Sequence, residues 1–163
     1  MLKRRPVAAV MLLLALAGIA FFSHEKGAQS SAHSRAATEA AVTAWEKIRG
    51  ETFSPIRRRV YLQKLEPHVR ELAHVFLFFL TAFLLTVAAV PPGYPREKAR
   101  PWILSAVFLL ALGDEIHQLY SPGRHFAFKD VTLDWFGGYL GMTAAFALFL
   151  RDGKAHHAPK EKK

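Results

Sequence analysis

Pro101 to Arg124 reads PWILSAVFLLALGDEIHQLYSPGR. Its first half is apolar enough to enter a bilayer. Its second half carries Asp114, Glu115, His117 and Gln118 ahead of a Ser121-Pro122-Gly123 turn. An ionisable side chain inside a membrane helix costs roughly 2.5–3.5 kcal/mol on insertion scales, so its default reading is functional. Outward from this stretch, the apolar residues gather into blocks rather than amphipathic stripes: Pro6–Ser23, Leu72–Val90, Pro101–Leu112 and Val131–Leu150. Three of these approach the length of about 20 residues that a membrane span needs, and the third block reaches it only if its polar residues are counted to about Tyr120. The first block follows Lys3-Arg4-Arg5 as a signal peptide would, but Phe21-Phe22 occupy the place where a cleavage site wants small residues. It reads as an uncleaved first span. The expected fold is an all-α integral membrane protein with four transmembrane helices and a long outer loop containing short helices.

The organisation follows. Residues 1–23 are a basic N-terminus and the first span; 24–71 are an outer hydrophilic segment. Residues 72–150 carry spans two to four, and 151–163 are a basic tail. Within the hydrophilic segment HEKGAQSSAHS is loop-like, whereas Ala37, Ala41, Ala44, Trp45 and Ile48 recur at helical spacing. Trp45 on that stripe suits either an interface-lying helix or packing against the other helices. Gly50 and Pro55 should end this helix, and Tyr61–Glu66 form a further short piece before Pro67. The third span should run to about Tyr120.

The net charge of +9 is concentrated beside the apolar blocks, at Arg96, Lys98 and Arg100 as well as at the two ends. That is the positive-inside pattern, with contact to membrane lipids, rather than a nucleic-acid surface. Arg57-Arg58-Arg59 is the one basic run outside it. The pattern places both termini and the 91–101 loop in the cytoplasm. Residues 23–71 and the 121–129 turn then face outward. Cysteine is absent, which removes disulfides, Cys-ligated metals and thiol nucleophiles.

With this topology the costly residues share one depth. Arg70 and His74 are four apart at the start of span two; Asp114 lies three and four residues before His117 and Gln118. Arg124 is in the turn, and Asp130 and Asp134 are four apart at the start of span four. Three chemistries are open to such a set. Carboxylates in unlike environments can act as acid and base. The histidines and carboxylates can hold a divalent metal, although no H-E-x-x-H pattern occurs. A cluster with arginines can bind a headgroup without reaction. Structural readings compete: Asp130 as a helix cap, Arg124 neutralising Asp114 or Glu115, His74 as a satisfied core residue. Gly137 and Gly141 form a GxxxG that favours close helix packing. His156-His157 in the tail reads as incidental. No metal or cofactor is assigned, and no catalytic residue.

At these residues the chain resembles VanZ-like membrane proteins. GDEIHQLYSPGRHFAFKDVTLDWFGGYLG, residues 113–141, is similar to that family's D-E-x-x-Q, P-x-R, D-x-x-x-[N/D] and glycine-rich helix. RELAH, Arg70 to His74, is similar to its R-K-x-x-H, with Glu71 where the family usually has a basic residue. FSHEKGAQSSAHS, from Phe22, resembles its serine-containing segment after the first helix. The likeness runs from about Phe22 to Leu150. It implies a four-helix integral protein of the bacterial cytoplasmic membrane and cell envelope. The family's namesake is associated with resistance to the glycopeptide teicoplanin, so a cell-wall precursor or glycopeptide joins membrane lipids as a possible partner. The expected role is an outward-facing polar pocket for a lipid headgroup or cell-wall-related molecule. The alternatives are a membrane-embedded acid/base or metal-assisted enzyme and a purely structural charge cluster.

Overall fold

The computed structural model describes residues 4–24 and 27–149, with side chains described from residue 5 to 24 and 30 to 149. Five helices make up the described fold: α1 Arg4–His24, α2 Gly27–Arg49, α3 Pro55–Ala89, α4 Arg96–Gln118 and α5 Phe128–Leu148. The tail and its His156-His157 pair lie outside the described residues. Two helices are long and apolar enough to cross a membrane, over Arg5–His24 and Pro55–Ala89. The all-helical expectation holds at that coarser level.

The α3 helix is the axis of the fold. It packs on α5 most extensively, and also on α1, α2 and α4, while α5 packs on α4. The reason lies in small side chains. A methyl added at Gly137 or Gly141 would strike the backbone carbonyl of Val75 or Phe79. One added at Gly138 would strike the Val107 side chain on α4. The GxxxG pair therefore brings the α5 and α3 backbones together, while Gly138 leaves room for the Val107 side chain of α4. Around that seam Phe78, Ala82, Ile103, Val107, Met142 and Phe146 form the main core, each buried. Without a water-driven hydrophobic force between helices in lipid, close backbone approach supplies the packing energy. Val7, Val10, Leu13, Leu14, Phe76 and Leu109 remain exposed, an apolar exterior that a soluble domain rarely presents.

The outer segment departs from expectation. HEKGAQSSAHS is not all loop, because α2 begins at Gly27. Its buried face is not the Ala37–Ala41–Trp45–Ile48 stripe: Ile48 is 85% exposed. The buried face is Ser30, Ser34, Thr38 and Val42. Ser34 Oγ donates to the Ser30 carbonyl at 3.0 Å and Thr38 Oγ1 to the Ser34 carbonyl at 2.7 Å, so hydroxyls that would favour a loop are satisfied within the helix. Trp45 stacks on Tyr61 with centroids 6.1 Å apart.

Pro67 does not separate a short helix from the span. It lies inside the 35-residue α3, which at 1.5 Å per residue is roughly 52 Å long and overruns a hydrocarbon core of about 30 Å. Ser54 caps its start, accepting from the Arg57 N–H at 3.3 Å. The overhanging half is braced by α2, where Val42 and Phe53 pack on Leu62, flanked by Tyr61 and Leu65. Arg58 bonds Glu46 at 2.6 Å and Thr43 at 2.9 Å, and Arg57 lies 4.5 Å from the Phe53 ring centroid. Two arginines of the basic run are thus packing and pairing groups, and one missing N–H at Pro67 is offset by that brace.

At the other helix ends the shifts are smaller. The α4 helix starts at Arg96, before Pro101, and stops at Gln118, with Leu119–Tyr120 in the following turn; α5 starts at Phe128 rather than Val131.

Candidate functional site

The two ends of the bundle differ in chemistry. At one end Arg5 reaches the Ala88 carbonyl at 3.1 Å, closing α1 on the C-terminus of α3. Arg96 and Arg100 lie over the Phe146 ring at the same end. At the opposite end the polar residues converge.

Asp114 is 6% exposed and accepts from two donors: Gln118 Nε2 at 2.8 Å and, on its other oxygen, Ser23 Oγ. The Gln118 amide relays to the turn, its oxygen accepting from Arg124 at 2.9 Å. Arg124 also reaches the Phe22 carbonyl at 3.1 Å, and Ser121 Oγ the Ser23 carbonyl at 2.9 Å. The turn can do this because Gly123 takes φ 80°, a conformation that only glycine adopts freely. The end of α1 is thereby tied to α4 and its turn. Arg124 thus bonds Gln118 and a backbone carbonyl, contacts the charge-neutralising reading did not anticipate.

Glu115, 2% exposed, accepts from the Ala127 N–H at 2.8 Å and so fixes the entry to α5. Asp130 lies in the first turn of α5, where the helix dipole favours a carboxylate. Asp134, one turn further, is 3% exposed. At the rim Lys129 Nζ donates to Glu71 at 2.6 Å. That bond gives Glu71 a cationic partner one residue before the apolar Leu72–Val90 stretch. The acidic residue at a position the resemblance makes basic thus has its own cation, supplied by the turn.

Between these groups is a cavity of about 300 Å³. Arg70, His74, Glu115, Gln118, Arg124, Asp130 and Asp134 line it, so most of the expected set shares one space. Asp114 stands behind the lining, next to His74 and Asp134: one donor atom from each of the three lies within 4.8 Å of the others. His117 does not join them. It is exposed and faces His24, with ring centroids 6.0 Å apart.

Sequence reasoning missed Ser23 as an individual residue, along with Lys129, Ser31 and His125, the last two in the lining. Ser23 closes a contact across 91 positions, which no local pattern announces. A second, largely apolar groove of about 370 Å³ lies between α2 and α3, lined by Phe22, Ala37, Val69, Ala73, Phe76 and Leu77. Arg70 and His74 border both spaces.

The family model described as VanZ/LLP1 matches residues 9–150. The chain belongs to the VanZ/LLP1 family. No curated protein and no solved structure matches it. VanZ-family membership and the two apolar helices together point to a membrane protein, with the polar constellation at one end of its helices.

Proposed function

We propose that this VanZ-family chain is a four-span protein of the bacterial cytoplasmic membrane whose outward polar cavity binds the headgroup of a cell-envelope lipid. The observation that carries the reading is the sharing of Arg70 and His74 between the polar cavity and the apolar groove. An amphiphile has the same two parts, and a ligand site is usually a concave apolar space with a few placed polar groups. Half-buried Arg70 and Arg124 offer cationic donors toward the mouth, where a phosphate would be held by charge-assisted bonds. The carboxylates lie deeper and would take hydroxyl or amino groups of the headgroup.

In this reading α4 and α5, of 23 and 21 residues, are the third and fourth spans. The basic end with Arg5, Arg96 and Arg100 faces the cytoplasm together with both termini. The absence of cysteine makes the orientation directly testable. A Glu51→Cys variant in intact spheroplasts should react with a membrane-impermeant maleimide, and Glu97→Cys should react only after lysis. The reverse pattern would overturn the orientation.

For the ligand, the protein is purified in a polymer nanodisc and its retained lipids are quantified by mass spectrometry. An anionic lipid should be enriched over bulk membrane. That enrichment should fall at least tenfold in an Arg70→Ala/Arg124→Ala variant and persist in Lys47→Ala. Equal lipid profiles in all three would refute the reading. The association of the family's namesake with teicoplanin makes a glycopeptide or cell-wall precursor a further candidate for the cavity. A teicoplanin susceptibility shift that depends on Arg124 would favour it.

A further inference from the structure

The floor of the cavity poses an electrostatic problem of its own. Asp134 is 3% exposed and lines the cavity, yet among the described residues it has no hydrogen-bond or ion-pair partner. The charges that act on it are those of three carboxylates, Asp114, Asp130 and Glu115. A buried carboxylate without a cation or donors is costly by several kcal/mol. Among the nearby cations, Lys129 is engaged with Glu71 and Arg124 with Gln118 and the Phe22 carbonyl, and Arg70, which lines the same cavity, makes no bond to Asp134.

We infer that His74, Asp114 and Asp134 form a binding site for a single divalent transition-metal cation at the floor of the cavity. The three residues come from α3, α4 and α5, and one donor atom from each lies within 4.8 Å of the others. Metal–ligand bonds of roughly 2.0–2.2 Å leave no two donors more than about 4.4 Å apart, so side-chain movements of about 1 Å seat the ion. The Asp114 carboxylate is already oriented, with Ser23 on one oxygen and Gln118 on the other, and each oxygen keeps a second lone pair. Such outer contacts are what metal-binding carboxylates ordinarily carry. Asp134, the unpartnered member, gains its counter-charge. The remaining coordination positions open into the cavity of about 300 Å³.

The donor set selects the ion. One imidazole nitrogen with two carboxylate oxygens suits Zn²⁺, Mn²⁺ or Fe²⁺; Ca²⁺ and Mg²⁺ prefer all-oxygen shells, and without cysteine no thiolate site competes. The inference stands whether or not a lipid enters the cavity, because it rests on the floor residues alone.

The test uses the full chain in detergent, stripped with a chelator, with His156→Ala/His157→Ala as background so that the tail histidines contribute nothing. Zn²⁺ and Mn²⁺ are titrated separately, with stoichiometry read by elemental analysis after dialysis and stability by thermal melting. One equivalent should bind and raise Tm. Asp134→Asn and His74→Gln should each weaken binding at least tenfold, while His117→Ala should not. Pulsed electron paramagnetic resonance of the Mn²⁺ form should detect one coordinated histidine nitrogen, a readout that needs only the parent protein if a variant fails to fold. Folded protein that binds neither ion would overturn the site. So would undiminished binding in Asp134→Asn, or a protonated-carboxyl infrared band that this substitution removes and metal leaves unchanged.

Discussion

Replacing Gly141 by alanine should separate α5 from α3, and the size of the effect follows from the seam. The added methyl would meet the carbonyl oxygen, carbonyl carbon and Cα of Phe79. These are main-chain atoms of a helix that also packs on α1 and α2, so no flexible side chain can swing away. The helices must instead part locally by about 1 Å. A gap of that order forfeits up to half of each atom-pair contact of about 0.1–0.2 kcal/mol. Over roughly 20 pairs beside the crossing, that loss is about 1–2 kcal/mol. Overpacking of this kind typically costs 1–3 kcal/mol in total, so about 2 kcal/mol is expected. Gly113→Ala is the matched control. It lies in α4 with nothing within 4 Å of the added methyl, so helix propensity should stabilise it by about 0.5–1 kcal/mol. Reversible unfolding in mixed micelles, followed by far-ultraviolet circular dichroism, measures both. Stability of Gly141→Ala equal to or above that of Gly113→Ala would refute the account of the seam.

Ser23→Ala should lower stability by about 1–3 kcal/mol, because buried Asp114 loses one of its two donors. The same micelle titration measures it, and an unchanged midpoint would remove Ser23 from the site. Arg58→Ala breaks the bonds to Glu46 and Thr43 and should release α2 from the overhanging half of α3 at a cost of about 1.5–3 kcal/mol. Hydrogen exchange should then quicken across residues 38–50 while α5 keeps its protection; uniform quickening would contradict a local brace. Lys129→Ala removes only a solvent-screened rim pair with Glu71, so it should leave the melting temperature nearly unchanged. A marked fall in thermal melting would mean that the pair holds the turn.

Much of the site is legible because membrane burial makes charge conspicuous. Asp114, Glu115, Gln118 and Asp134 stand out against apolar surroundings, and their spacing places them on helix edges that meet. The GxxxG of Gly137 and Gly141 is legible for a similar reason, since two small residues one turn apart have few other uses in an apolar helix. Harder to read was the segment from Ser23 to Arg70. Serines and threonines favour loops when unpaired, and only packing against α3 makes the Ser30–Ser34–Thr38–Val42 face a buried one. Pro67 likewise reads as a break until the contacts that offset its missing N–H are present.

The amino-acid sequence by itself determined that the chain is helical and VanZ-like, and that it has a costly polar set at one depth of its apolar blocks. Apolar block length and helical spacing are local properties, so they survive without a partner. Only the tertiary structure decided which members of the set meet. It brought Ser23 to Asp114 across 91 positions, left His117 outside with His24, paired Glu71 with Lys129, and set His74, Asp114 and Asp134 around one point. The physical reason is that helix periodicity fixes which face a residue occupies. The approach of the α3 and α5 backbones at the Gly137–Gly141 seam, with the Val107 side chain of α4 seated at Gly138, fixes what that face touches.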